Sequence, residues 1–227
     1  LSLESSLIQA LEIQGVSGSN GLGLAVPFFE TFAKNDMRRE DFDPVTKKGI
    51  MIHGYVTDSE GNPAYTDSEG NPIKVEEELN RIVALKYPLE ENPPSGEWMT
   101  HDMVLLRLAE VILTYAEAQN ELGNSAEAIN NINQIRKRAG LDDLSSTLSV
   151  SEVRNAVLDE RGWELYTEGF RRDDLIRHGK LLEKVKPKWE YYLDTPWPHE
   201  GASYLDLFPV PASAMIKNPL LDQNIGY

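Results

Sequence analysis

The sequence predicts a mainly α-helical protein in which paired helices adjoin a loop-rich portion carrying short β-strands, and three observations carry that expectation. Residues 102–227 contain three segments of helical period with start and stop signals: RLAEVILTYAEAQNELG (107–123), SAEAINNINQIRKRAG (125–140) and SEVRNAVLDERGWELYTEGFRRDDLIRHG (151–179). A Pro-rich tail, FPVPASAMIKNPLLDQNIGY (208–227), follows them. Residues 1–101 are instead irregular, dominated by turn formers and short β-prone runs. We therefore read the chain as a loop-rich region with short strands, 1–101, and a helical region with its tail, 102–227.

Composition narrows the function classes. A chain of 227 residues that is 41% hydrophobic can bury a substantial core, as one large or two small domains. Its 37 acidic and 22 basic side chains leave a formal charge of −15. Polyanions are held by clustered Lys and Arg, so nucleic acid is excluded as a partner. Cysteine is absent, which removes disulfides, thiolate metal ligands and a cysteine nucleophile and leaves the redox compartment open. The opening LSLESSLIQALEIQG has neither a basic n-region nor a sustained apolar h-region, and no run approaches the roughly 20 apolar residues that span a bilayer.

Within 1–101, a Gly/Ser stretch (Gly15 to Gly23) precedes the aromatic cluster PFFETF (27–32) and the charged turn NDMRREDFDP (35–44). TDSEGNP then occurs twice, at 57–63 and 66–72, flanked by the β-prone runs GIMIHGYV (49–56) and IKV (73–75). Asp, Ser, Gly and Asn-Pro are each turn formers, so both copies are expected to be tight turns. A calcium loop through Asp58, Ser59 and Glu60 is the rival reading, but the roughly 12-residue pattern with a terminal bidentate Glu is missing.

The helices follow from periodicity and caps. From Asp102 to Leu122 the polar residues Arg107, Glu110, Thr114, Glu117 and Glu121 recur at steps of three and four, and apolar residues fill the rest. One polar stripe predicts a helix over 102–122 packed on several sides, including at Leu108 and Ile112. Gly123 supplies a left-handed C-cap, and Asn124 with Glu127 forms a capping-box pattern for a second helix over 125–139. The two make an αα-hairpin. Ala116, Gly123, Ala128 and Ile132 are similar to the small and packing positions of one tetratricopeptide repeat. A lone repeat cannot bury its own face, so apolar surface is expected on the isolated chain. A third helix, 150–168, opens with the box Ser149/Glu152 and a staple of Leu148 on Val153.

Glu160, Glu164 and Glu168 recur every four residues, with Arg161, Arg171, Arg172, Asp173, Asp174 and Arg177 nearby. Two such carboxylates meet the separation of a glycosidase acid/base pair, about 5–5.5 Å or 6.5–9.5 Å, trivially. Alternating acids and arginines on a helix are expected instead to form ion pairs that tie it to its surroundings.

That segment resembles the SusD/RagB family, the surface glycan-binding lipoproteins of glycan-degrading Gram-negative bacteria. The family pattern E-R-x-x-E-L-x-x-E-G-x-R-x-x-D-L-x-R-x-G is met by Glu160, Arg161, Glu164, Leu165, Glu168, Gly169, Arg171, Asp174, Leu175, Arg177 and Gly179. Its ending is met by Pro209, Pro211, Asn218, Pro219, Leu221, Gln223, Asn224, Gly226 and Tyr227. Gly162 departs from the pattern, where a larger residue is usual; mid-helix glycine costs roughly 1 kcal/mol against alanine and puts close packing there in question. Upstream, PFFETFAKNDMRRE resembles the family's aromatic run before an Asp-x-Arg turn, and IVALKYP (82–88) its lysine-containing strand.

The resemblance implies the C-terminal half of a non-enzymatic carbohydrate-binding protein at the outer-membrane cell surface. Its expected partners are an oligosaccharide or polysaccharide and a TonB-dependent, SusC-like transporter. Family members carry a signal peptide, a lipid-modified cysteine and about as much protein again before the matching region, so a membrane anchor is expected outside this chain. Sugar recognition needs flat aromatic faces and a few fixed polar partners. Two aromatic clusters qualify: Tyr55, Tyr65, Tyr87 and Trp98, and Trp189, Tyr191, Tyr192, Trp197 and Tyr204. Family sites lie on loops before the first helix, which favours Tyr55, Tyr65 and Trp98 as glycan-binding residues. No cofactor or metal is expected: His53, His101, His178 and His199 lack zinc-ligand spacing, and Gly21-Leu-Gly23 lacks the rest of a dinucleotide fingerprint. A helical-repeat adaptor and a glycoside hydrolase are the alternatives.

Overall fold

In the computed structural model, which describes residues 9–11, 23–43, 45–46, 48–87, 102 and 104–227, Pro27 lies in the first turn of helix α1 (Val26–Phe29). Proline is tolerated there because its missing N–H has no intrahelical partner in any case. The aromatic run turns inward from α1. Phe29 and Phe32 are buried with Leu24, Met51, Ile82 and Tyr166. The charged turn that follows is a 3-10 helix, Met37–Arg39, capped by the Asp36 carboxylate, which accepts the Arg38 amide.

The expected short strands form one antiparallel pair, β1 (Met51–Ile52) with β2 (Val83–Ala84), Met51 facing Ala84 and Ile52 facing Val83. The run IKV does not extend as a strand. Val75, fully buried and donating its N–H to the Gly54 carbonyl, starts a second helix, α2 (Val75–Leu79). Glu76, Glu77 and Glu78 in its first turn suit the positive end of the helix dipole. Both TDSEGNP copies are tight turns of one design. Asp58 accepts the amides of Glu60 and Asn62, and Asp67 those of Glu69 and Asn71. Gly61 and Gly70 supply the left-handed residue, with φ of 88° and 87°.

The helical region begins with α3 (Leu108–Glu121), α4 (Ser125–Arg138) and α5 (Val150–Leu165). Their shared core is Ala109, Leu113 and Ala116 from α3, Ala128, Ile129, Ile132 and Ile135 from α4, and Val153 and Val157 from α5. The alanines at the α3–α4 contact let the two backbones approach, as the repeat-like pattern implies. Asn120, fully buried at the end of α3, donates to the Val150 carbonyl and accepts from the Ser125 hydroxyl, locking the hairpin to the start of α5. Gly123 is left-handed, with φ of 84°. The Ser149/Glu152 capping box is formed, and Leu148 and Val153 meet in the core.

Four expectations need correction here. The first helix starts at Leu108 rather than 102, because Arg107 is extended and its side chain reaches Glu164 on α5. It is packed on one side only: Leu108 is 72% exposed and Val111 55%, while Ile112 packs on the core. Asn124 does not cap α4 with its side chain, which bonds to Gln119 instead. The third helix ends at Leu165, three residues before the expected limit; Thr167 and Gly169 adopt left-handed φ, and a separate helix, α6 (Arg171–Arg177), follows.

Gly162 proves to be a packing residue. A Cβ at this position would lie 2.7–3.1 Å from the Arg171 guanidinium, which donates at 2.8 Å to the carbonyl of Leu158 on the same helix. The missing side chain is what admits the arginine.

The chain divides into two compact units, Leu1–Arg171 and Arg172–Tyr227. In the second, α7 (Leu181–Leu193) contains Pro187, and α8 (Ala212–Lys217) follows a 3-10 turn at Ser203–Asp206. The Pro-rich tail has few backbone partners of its own, and side chains supply them. Gln223 bonds both the N–H and the carbonyl of Val210, Asn224 donates to the Phe208 carbonyl, and the Tyr227 hydroxyl to that of Leu207. No helix among the described residues is long and apolar enough to cross a membrane.

Candidate functional site

Of the three aromatic residues favoured by sequence, the structure describes Tyr55 and Tyr65 and sets them in different surroundings. Tyr55 follows the left-handed Gly54, is 62% exposed, and has the Lys74 ammonium 5.8 Å from its ring centroid. Gly54 is fixed on both sides, its N–H donating to Glu76 and its carbonyl accepting Val75. Tyr55 is thus an open ring on a pinned backbone. Tyr65 is half-buried against the cluster of Leu11, Ile52, Val75, Val83 and Leu85, where it covers the core. Trp98 lies outside the described residues. Of the later aromatics, Trp189, Trp197 and His199 pack edge-to-face on one another, with Trp197 buried.

What the structure does assemble is a charged node on α5. Glu160, Arg161 and Glu164 are buried, on a helix that would otherwise present an ordinary apolar face. Arg38 reaches Glu160 at 2.7 Å and Glu164 at 3.2 Å across more than 120 residues, while its remaining N–H groups hold Asp36. Arg107 forks onto Glu168 at 2.7 and 2.8 Å and also bonds Glu164. Lys86 pairs with Glu168 and donates to the carbonyls of Glu164 and Tyr166. From α4, Arg136 contacts Glu160 and Arg138 contacts Glu164. The 3-10 turn, Lys86 two residues after β2, Arg107 just before α3 and the end of α4 are thereby fastened to α5 and the turn that follows it. The expected ion pairing is borne out in geometry.

Charge states follow from this arrangement. Burial drives the Lys86 ammonium down to about 8, with the pairing to Glu168 opposing it. Burial also pushes the Glu160 carboxyl above the usual carboxylate range, against the pull of Arg38. For Glu168 burial acts upward but is outweighed by Arg107 and Lys86, so its carboxyl sits below the usual range. A cavity of about 290 Å³ opens beside the node, walled by Arg38, Lys86, Arg107, Arg138, Glu164 and Glu168 with Ile50, Tyr87, Val104 and Tyr166. It is charged, yet the N–H donors of Arg38, Arg107 and Lys86 that face it are engaged by protein oxygens. Glu164 and Glu168 are likewise held by cations on both sides, which suits a fastener rather than an acid/base pair.

Sequence reasoning found the acids of this node and missed their five cationic partners, Arg38, Lys86, Arg107, Arg136 and Arg138. A lysine inside the apolar run IVALKYP and an arginine immediately before an apolar helix were the available signals. Each is a charge placed where only a buried partner can stabilise it.

With this geometry in hand, the comparisons with known proteins agree. The chain matches the model of the SusD family over residues 28–227. It is 39% identical over 121 residues to SusD-like protein P25 of Formosa agariphila, covering 52% of this chain and 23% of that protein. It is 36% identical over 126 residues to starch-binding protein SusD of Bacteroides thetaiotaomicron, covering 56% and 22%. The matched stretch thus spans about a quarter of these curated relatives. In fold it is similar to surface glycan-binding protein A of Bacteroides thetaiotaomicron, with a TM-score of 0.62 at 20% identity over 99% of this chain and 45% of that one. A match over residues 28–227, most of its length, means that the chain belongs to the SusD family.

Proposed function

We propose that this chain is part of a non-enzymatic cell-surface protein that binds oligo- or polysaccharide and delivers it to a TonB-dependent, SusC-like transporter in the outer membrane. The observation that carries the reading is family membership over 28–227, together with 36% identity to a relative named as a starch-binding protein. A lipid anchor preceding this sequence holds the protein at the outer membrane in this reading. Tyr55 is the stacking residue the exposed loop offers, with Trp98 and Tyr65 as the further ring candidates. A ring on a sugar face contributes on the order of 1 kcal/mol, a several-fold change in affinity. The test is a glycan array with the purified chain, followed by calorimetry on the best ligand. Tyr55→Ala is expected to weaken binding several-fold with an unchanged melting temperature, and labelled oligosaccharide is expected to be recovered intact. Cleavage products would return the hydrolase reading, and an array without a hit would count against glycan binding by this chain.

A second reading, a helical-repeat adaptor for proteins, draws support from the exposed Leu108, Val111 and Tyr115 on α3. It predicts capture of a peptide on that face, abolished by Val111→Glu. Delivery to the transporter is tested separately, by co-purification of the full-length protein with an outer-membrane β-barrel.

A further inference from the structure

We propose that the cavity between the Met37–Arg39 turn and β1 is a subsite for a neutral saccharide carrying vicinal hydroxyls; the proposal rests on the glycan-binding reading above. The cavity, of about 470 Å³, is walled by Asn35, Met37, Arg39, Glu40, Asp41 and His53, large enough for a sugar residue and its hydration. It is distinct from the cavity beside the α5 node, with which its lining shares no residue.

Its chemistry is that of hydroxyl recognition. A sugar hydroxyl is both donor and acceptor, and vicinal pairs are matched by planar groups that offer two sites at once: carboxylate, amide and guanidinium. All three types line this cavity. Among the described residues, the Asn35 amide and the Glu40 carboxylate make no side-chain hydrogen bond, and both residues are exposed. They are the groups left for a ligand. Their neighbours are held in place. His53 pairs with Asp41 at 2.7 Å and packs at a tilt on Phe29, ring centroids 4.8 Å apart. The Arg39 guanidinium lies 4.5 Å from the same ring centroid and donates to the Phe32 carbonyl. The Glu40 carbonyl accepts the amides of Ile50 and Met51, which fixes the backbone under the site. The frame of the cavity is thus pre-positioned, and the ordering cost on binding falls on the Asn35 and Glu40 side chains alone. Met37, 58% exposed, adds a polarisable thioether for the C–H face of the ring.

The charge balance selects the class of sugar. Arg39 and Lys34 face three carboxylates in the lining, Asp36, Glu40 and Asp41, and the whole chain carries −15. A uronate or sulfated sugar meets no net positive field here.

The test is affinity gel electrophoresis of the whole chain in gels cast with soluble starch, laminarin, xylan or polygalacturonate. The wild type is compared with Asn35→Ala, Glu40→Ala and Asp41→Ala, and each variant is melted to confirm folding. Asn35 and Glu40 keep the test decisive should loss of the His53 partner in Asp41→Ala unfold the turn. Retardation by at least one neutral polysaccharide is expected, weakened about tenfold in Glu40→Ala and in Asn35→Ala with melting temperatures unchanged. Wild-type affinity in both variants would overturn the subsite and leave the glycan-binding reading standing. Retardation by polygalacturonate that these variants abolish would overturn the neutral class. A wild-type chain retarded by none of the four would overturn both readings together.

Discussion

Three long-range ion pairs converge on Glu164, since arginines from the 3-10 turn, from the residue before α3 and from the end of α4 all bond its carboxylate. A buried charge that loses its partner costs more than the pair contributes, so Glu164→Gln should destabilise the chain by about 3 kcal/mol. Glycan affinity should be unaffected, because neither Tyr55 nor the cavity at Asp41 touches it. Loss of affinity without loss of stability would instead place the node in the binding site. Lys86 makes a prediction of opposite character. The folded chain releases its proton near pH 8, whereas an unfolded lysine keeps it to about 10.5. Between those values the unfolded state binds more protons, so this group's contribution to stability rises with pH. Urea denaturation of the wild type and Lys86→Met at pH 7, 8.5 and 10 should show a stability difference that moves in favour of the wild type. A difference independent of pH would mean that Lys86 keeps an ordinary affinity for its proton.

At the scale of elements, the Arg171 side chain packs on α5 in the space that Gly162 leaves open. Replacing Gly162 by alanine gains roughly 1 kcal/mol of helix propensity. It also displaces the Arg171 guanidinium from the Leu158 carbonyl, a charged hydrogen bond worth about 1.5–3 kcal/mol. The second effect wins, so Gly162→Ala should destabilise. In an Arg171→Ala background the same substitution should stabilise, and a double-mutant cycle reads the reversal of sign directly. This is also where sequence reasoning stopped. Periodicity located α4, and the Ser149/Glu152 box the start of α5, because those signals are local, lying within one or two turns. Gly162 read as a packing defect because its partner, though only nine residues away, belongs to another helix. The break at Tyr166 was hidden for the same reason: the acid/arginine pattern continues through it without a change of period. At the candidate site, exposure separated Tyr55 from Tyr65, two tyrosines in equally loop-like sequence, and exposure is set by tertiary contacts that no local pattern encodes.

For the molecule as a whole, the one-sided packing of α3 leaves Leu108, Val111, Tyr115 and Leu122 in solvent beside Leu105 and Leu106. Val111→Glu should therefore shift stability by no more than about 0.5 kcal/mol, whereas Leu113→Ala, on the buried side, should cost about 3 kcal/mol. Binding of a hydrophobic dye should fall in Val111→Glu; a Val111→Glu chain that fails to fold would show that this face is covered in solution. The paired turns carry a different consequence. Each TDSEGNP copy closes on itself, its Asp and Asn bonding only within the copy, and the strand-like link Ala64 N–H to Val56 carbonyl is repeated as Ile73 N–H to Tyr65 carbonyl. Excising residues 58–66 joins Thr57 to Asp67 and regenerates the same motif, with Val56 now placed to accept Ile73. The stretch is therefore a nine-residue unit whose turn rebuilds itself when one copy is cut out in frame, but the cut also removes Ala64 and Tyr65 from the cluster they cover, so the second copy does more than lengthen the loop: it roofs the small core beneath it.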